Sequence, residues 1–230
     1  IALAYVTGRQ LELALKGIKE HALQTPRFIV CDVGTTVYLR RGRRWMRDGT
    51  YREMMRQGFG GHTGADVREV LEGTEGLTLQ EESNQAEFKC SYYTGLRIDR
   101  RKLFARVKRR LARAGIKANL VFSRDAKKKK GLLDVLPSDT AKDTAILYLQ
   151  KQLEIDRESV VYAGDSGNDL LAFVSGFRAI VVANTPRPVR ETVRNVIRRK
   201  PVLEDRIYFA KARYTAGVIE GCRHFGIFAS

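Results

Sequence analysis

The chain concentrates its chemistry in three short segments, each a polar cluster that ends an apolar run. The most informative is Val160 to Asp169, VVYAGDSGND. Its apolar half reads as a buried strand, Gly164 and Asp165 as a tight turn, and Asn168 and Asp169 as the opening of the next helix. Ligands bind at the carboxyl ends of strands in parallel sheets, so Asp165, Asn168 and Asp169 would share such a place. Two carboxylates and an amide are hard oxygen donors, suited to a Mg²⁺ ion that keeps several waters. Asp165 or Asn168 would equally suit the cap of a helix start, since Asx side chains accept from free backbone N–H groups. Spacing alone leaves both readings open. Thr7-Gly8-Arg9 ends a second apolar run, IALAYV. A hydroxyl and free N–H groups before a helix can hold a phosphate, or Thr7 can be an ordinary cap beside a solvated Arg9. Lys142 falls in the first turn of a helix after Pro137-Ser138-Asp139. The helix dipole disfavours a cation there, so it calls for a phosphate or carboxylate partner, or for simple solvation.

The elements that must position these residues follow from periodicity. Residues 1–6 read as a strand, and Leu11, Ala14, Leu15, Ile18 and Ala22 as a helical stripe that Pro26 ends. Phe28 to Cys31 (FIVC) is a second strand, and its unbroken apolar run suggests cover on both faces, as in a parallel sheet. From Tyr38 to about residue 130 the texture changes. That stretch holds the basic clusters Arg40–Arg47 and Lys127–Lys130, a glycine-rich loop (Gly58–Gly64), and a helix over 65–71. A strand over 87–93 follows, then a basic helix over 99–114 with a stripe at Leu103, Phe104, Val107 and Leu111 and Gly115 as a C-cap. The segment 116–123 alternates as a half-buried strand does. Antiparallel strands with helices on one face fit an inserted α+β domain. Alternating order resumes after Leu132, with helices over 140–153, 188–199 and 215–225 and strands over 160–163 and 179–183. The expected architecture is an α/β Rossmann-like core over 1–37 and 131–230, with an inserted α+β cap over 38–130.

Composition narrows the function classes. A chain of 230 residues that is 43% hydrophobic can build a core, which excludes a disordered chain. No apolar run reaches the roughly 18 residues of a membrane helix. Lys+Arg 42 against Asp+Glu 26 gives a formal net charge of +16, which favours a phosphate-bearing substrate or partner. Cys31, Cys90 and Cys222 are scattered, so a disulfide framework and a zinc cluster have little support and a reducing, cytoplasmic setting is expected. His21, His62 and His224 pair with no nucleophile motif, which leaves a Ser-His-Asp hydrolase without support. Gly58–Gly64 matches neither the dinucleotide nor the Walker fingerprint.

Taken together and in this order, Thr7, Lys142 and Gly164-Asp165 to Asp169 resemble the second, third and fourth motifs of the haloacid dehalogenase (HAD) superfamily of phosphohydrolases. The insertion between Thr7 and Lys142 resembles the cap of the Cof-like branch. Within that branch YVTGR (Tyr5–Arg9), GDSGND (Gly164–Asp169), LLDVLP (Leu132–Pro137) and the ending around Ala212–Phe228 are similar to sucrose-phosphate phosphatases. The resemblance spans essentially the whole chain. It implies Mg²⁺-dependent hydrolysis of a sugar phosphate, sucrose 6-phosphate first, through an aspartyl-phosphate. Thr7, Lys142 and Asp165 would be the catalytic residues, with Asp165, Asn168 and Asp169 holding or orienting the metal and its waters. Thr7, Gly8, Arg9 and Lys142 would bind phosphate, and Gly34, Thr35 and Lys89 would serve the hinge and the sugar. The family's first motif, Asp-x-Asp, supplies the nucleophile on an earlier strand. The chain opens at Ile1, too close to Thr7 to contain it, so upstream sequence is expected. Asp143 stands where the family often has glycine.

Two rival readings remain. The basic helix with Arg100, Arg101, Lys102, Arg106, Lys108, Arg109, Arg110 and Arg113 reads first as a solvated face, then as a steering surface for an anion. Nucleic-acid binding would use it too, but no nucleic-acid motif accompanies it. The absent first motif supports an inactive, phosphate-sensing or scaffold domain, attached to or associated with a sucrose-phosphate synthase.

Overall fold

A computed structural model describes residues 1–125 and 129–228, which divide into two compact units, 1–145 and 146–230. Lys127 and Lys128 of the lysine run lie outside the described residues.

The unit 1–145 opens with β1 (Ala4–Val6), α1 (Leu11–Glu20), β2 (Phe28–Cys31) and the hairpin β3 (Thr36–Arg41) and β4 (Arg44–Arg47). They form a sheet in the order β1-β2-β3-β4. β2 runs parallel to β1, with Val6 opposite Val30, and antiparallel to β3, with Val30 opposite Val37. All four β2 residues are buried, as its sequence suggests, yet the sheet around it is mixed rather than all parallel.

Next come α2 (Gly49–Gly58), α3 (Gly64–Leu71), β5 (Thr78–Leu79), β6 (Cys90–Thr94), α4 (Arg100–Arg113), β7 (Ala118–Asp125), β8 (Lys130–Pro137) and α5 (Lys142–Gln152), the last crossing the unit boundary. The four strands form an antiparallel sheet in the order β5-β6-β8-β7. Both boundaries expected for the insertion fall beside or inside paired strands. β3 extends the first sheet through Arg41, and β8 pairs with β7 along its whole length and with β6 over residues 131–135. The segment LLDVLP, expected where alternating order resumes, is therefore an inner strand of the antiparallel sheet.

α4 shows how its residues specify it. Asp99 caps it by accepting from the N–H groups of Arg101 and Lys102, and Gly115 leaves it in a left-handed conformation (φ 74°). Leu103, Val107 and Leu111 are buried at a helical spacing, each contributing roughly 1.5–3 kcal/mol, while Phe104 is half-buried near Phe122. Arg101, Lys102, Arg106, Lys108 and Arg109 are exposed, which is the solvated face expected.

In the unit 146–230, β9 (Val161–Gly164), α6 (Leu170–Phe173), β10 (Arg178–Val181), α7 (Arg187–Arg199), β11 (Ile207–Phe209) and α8 (Tyr214–His224) alternate. The strands form a parallel sheet in the order β11-β10-β9. Ile180, Val182, Ala210 and Cys222 make a core that Val161, Ala163, Tyr208, Val218 and Phe225 surround. Pro188 sits in the first turn of α7, as its missing N–H permits. Glu220 of α8 accepts from Tyr208 Oη (2.7 Å), Lys211 N (3.0 Å) and Ala212 N (2.8 Å). Cys31, Cys90 and Cys222 are unpaired and buried. Among the described residues no helix is long and apolar enough to cross a membrane.

Candidate functional site

In the unit 1–145 the Thr7–Arg9 loop follows β1 and is tied to the turn after β2. Thr7 N donates to Val30 O (2.8 Å), Val33 N to Thr7 O (3.2 Å) and Asp32 N to Arg9 O (3.1 Å). The Thr7 hydroxyl accepts from Arg9 N (3.2 Å), so it shapes its own loop, while the N-cap of α1 is Gln10. Arg9 is exposed.

Lys89 is 3% exposed and donates to Gly8 O at 3.2 Å, joining the start of β6 to this loop. Its ammonium also lies 3.8 Å from Oδ1 of the buried Asp32. Thr35 is buried, and its hydroxyl donates to Asp32 O (3.0 Å). Gly34 has φ 99°, and a Cβ there would lie 2.5 Å from Ala141 O and 2.9 Å from Lys142 Cα. Only glycine lets this turn pack against the start of α5.

Lys142 is the first residue of α5 and is 6% exposed, so it is not a solvated surface lysine. Asp134 of β8 accepts from Ser91 Oγ at 2.5 Å. Burial raises its pKa, and the charges of Lys89 and Lys142 oppose that rise. Burial also raises Asp32, against Lys89 and the Thr36 hydroxyl, and raises Asp143, whose Oδ1 has no hydrogen-bond partner. One end of this unit thus gathers Thr7, Gly8, Gly34, Thr35, Lys89 and Lys142.

The unit 146–230 holds the other predicted residues in one turn after β9. Asp169 is 2% exposed, and both its oxygens are engaged. Oδ2 accepts from Asp165 N (3.0 Å), Ser166 N (2.8 Å) and Ser166 Oγ (3.0 Å), and Oδ1 accepts from the Tyr162 hydroxyl. A Cβ on Gly164 would meet the Asp169 carboxyl at 2.7 Å, so the tight turn and the buried acid require each other. Asn168 Oδ1 accepts from Ser166 Oγ. Asp165 is exposed, with Oδ2 accepting from Asn184 Nδ2 at 2.8 Å. The turn is capped by Ser166 in a box with Asp169, not by Asp165 or Asn168 as the capping reading has it. Asp169 organises the turn, and Asp165 presents a carboxylate. Among the described residues no group of three His, Cys, Asp or Glu side chains is placed to hold a metal ion. The exposed Asp165 carboxylate is a hard oxygen donor of the kind Mg²⁺ takes one or two of.

Sequence reading missed Asp32, Asp134, Ser91 and Asn184. An acid closing FIVC-Asp32 and one inside LLDVLP were the available signals, since a charge within an apolar run must be paired or used.

A model of the sucrose-6F-phosphate phosphohydrolase family matches residues 1–226. The chain is 35% identical over 232 residues to a HAD-like hydrolase of Nitrosococcus oceani, covering 98% of this chain and 62% of that protein. It is 28% identical to mannosylfructose-phosphate phosphatase of Agrobacterium fabrum, covering 98% of this chain and 83% of that one. The chain thus spans less than two thirds of the Nitrosococcus protein. Among solved structures, the sucrose-phosphatase of Synechocystis, in complex with sucrose and phosphate, superposes with a TM-score of 0.80 at 24% identity, over 98% of this chain and 84% of that one. The fold is that of the HAD phosphatases, a Rossmann-like core with a cap.

Proposed function

Because the chain belongs to the sucrose-6F-phosphate phosphohydrolase family, we propose that it acts in Mg²⁺-dependent sugar-phosphate hydrolysis, with sucrose 6-phosphate as first substrate. The observation that carries this reading is the burial of Lys142 at the N-terminal end of α5. A cation there opposes the helix dipole, and the Asp134 carboxyl and a bound phosphoryl group together offset that cost.

Thr7, the Gly8 amide and Lys142 bind phosphoryl oxygens and stabilise charge as it shifts in the transition state. Arg9, exposed beside them, guides the anion in. The reaction needs a carboxylate nucleophile, on which an aspartyl-phosphate forms as the sugar leaves and is then hydrolysed. Mg²⁺, when bound, offsets repulsion between that carboxylate and the ester. Asp165 would hold it, with Asn168 placing its waters and Asp169 fixing the turn. The antiparallel sheet, with Lys89 just before β6, would act as the cap that excludes water and reads the sugar, and Gly34 and Thr35 as its hinge. Cytoplasmic location and association with a sucrose-phosphate synthase extend the same reading.

The test is phosphate release by protein from its full reading frame, offered sucrose 6-phosphate, mannosylfructose phosphate and other sugar phosphates, with and without Mg²⁺. Metal-dependent turnover ranked by sugar is the expected result. A folded protein that turns over no ester overturns it in favour of an inactive, phosphate-sensing domain.

A further inference from the structure

Three consecutive residues after β2, Asp32, Val33 and Gly34, have φ of 55°, 60° and 99°. Left-handed backbone is strained for an aspartate and more so for a valine, and it persists where its surroundings over-determine it. Here those surroundings are the bonds to Thr7 and Arg9 and a hydrogen bond from Tyr51 Oη to Gly34 O (2.6 Å). The contortion buries the Asp32 carboxylate, 4% exposed, against Lys89. Oδ2 accepts from Thr36 Oγ1 (2.9 Å), while the buried Oδ1 has no hydrogen-bond partner.

At 3.8 Å the Lys89 ammonium is too far for a hydrogen bond to Oδ1 but close enough for strong attraction at low dielectric. The hydrogen bond to Gly8 O uses one of its three donors. We propose that Asp32 is a positioning residue, which fixes the Lys89 ammonium against the Gly8 carbonyl while leaving its other donors for hydroxyls of the sugar. The pair steers the cation without saturating it. This inference rests on the sugar-phosphate phosphatase reading and goes beyond it, because neither Thr7, Lys142 nor the acidic turn requires an acid at position 32.

Asp32→Asn in the full-length protein keeps the size of the side chain and an acceptor for Thr36 while removing the charge. The KM for sucrose 6-phosphate should rise about tenfold with kcat changed less than about threefold. The ratio of kcat/KM for the sugar phosphate to that for p-nitrophenyl phosphate should fall about tenfold. Equal losses on both substrates, or an unchanged KM, overturn the proposal. In a Lys89→Met background Asp32→Asn should add nothing, and an additive loss overturns it as well. Should Asp32→Asn prove too unstable to assay, Asp32→Asn with Lys89→Met should recover Tm, since a buried cation without its partner is what destabilises. A double variant no more stable than the single one overturns the pairing. Inactivity of the wild type on every ester sinks the phosphatase reading alone, and the Tm comparison then still decides whether Asp32 holds Lys89.

Discussion

Lys89 in one unit and Asp165 in the other stand at opposite extremes. Lys89 is 3% exposed and reaches a carbonyl 81 residues away in sequence, and its neighbour Asp134 takes a hydroxyl from 43 residues away. Asp165 is exposed, and its turn closes mainly through hydrogen bonds between residues two to four apart, with Tyr162 reaching Asp169 from seven away and Asn184 reaching Asp165 from nineteen. In the unit 1–145, the polar groups proposed to bind also hold sheets and loops together, so on that proposal function and stability share residues. In the unit 146–230 the two tasks would fall to different acids, with Asp169 buried in the turn and Asp165 exposed and proposed to hold the metal.

The contrast breaks first on activity. Lys142→Ala should lower kcat for the preferred sugar phosphate about 10²–10³-fold, the scale of losing one preorganised charge on a transferring group. Within the acidic turn, Asp169→Ala should cost about 3 kcal/mol, from several stranded donors, and lower Tm visibly in a thermal melt. Asp165→Ala should leave stability within about 0.5 kcal/mol while abolishing the response of turnover to Mg²⁺. Equal Tm losses in the two variants would erase the division of labour. Gly34→Ala comes next, at about 2–3 kcal/mol in chemical denaturation, because φ 99° and the Ala141 carbonyl both exclude a side chain.

Acid and base limbs of stability sharpen the same comparison. Glu220 is lowered from 4.5 to about 2 by the N–H of Lys211, the Tyr208 hydroxyl and the N–H of Ala212. Its stabilisation is complete above pH 4.5 and is lost as pH falls from there towards 2, so Glu220→Gln should flatten the acid limb of Tm against pH. Asp134 shifts the other way, chiefly through burial. The folded state then holds its proton longer than the unfolded chain, so stability falls as pH rises from the ordinary value of 3.8 through the raised one. Asp134→Asn should remove that decline. Smallest of all, Arg109→Ala on the exposed face of α4 should change stability by no more than about 0.5 kcal/mol.

Legibility in the sequence divides along the same line. The turn after β9 is local, so a strand, a Gly-Asp pair and an Asx cluster announce it within ten residues. Thr7 and Lys142 are likewise marked by an apolar run before one and a proline before the other. The stripe of α4 and the capping Asp99 and Gly115 follow from helical spacing. Asp32 and Asp134 sit inside apolar runs that read as plain core, and their partners Lys89 and Ser91 are distant in sequence. Strand pairing is non-local too. Nothing in LLDVLP says that it pairs with residues 90–93 and 118–123, or that β3 and β4 extend the first sheet.

The three buried thiols give the molecule built-in clocks. A thiol reacts as thiolate and only when reached, and burial pushes Cys90 up to about 11 and raises Cys31 and Cys222 as well. Alkylation at neutral pH therefore waits for each region to open, and its rate reports how often that happens. Cys31 times the strand beside the strained turn, Cys90 the strand that follows Lys89, and Cys222 the helix over the parallel sheet. A sugar phosphate that engages Lys89 should slow the second clock and leave the third running at its own pace.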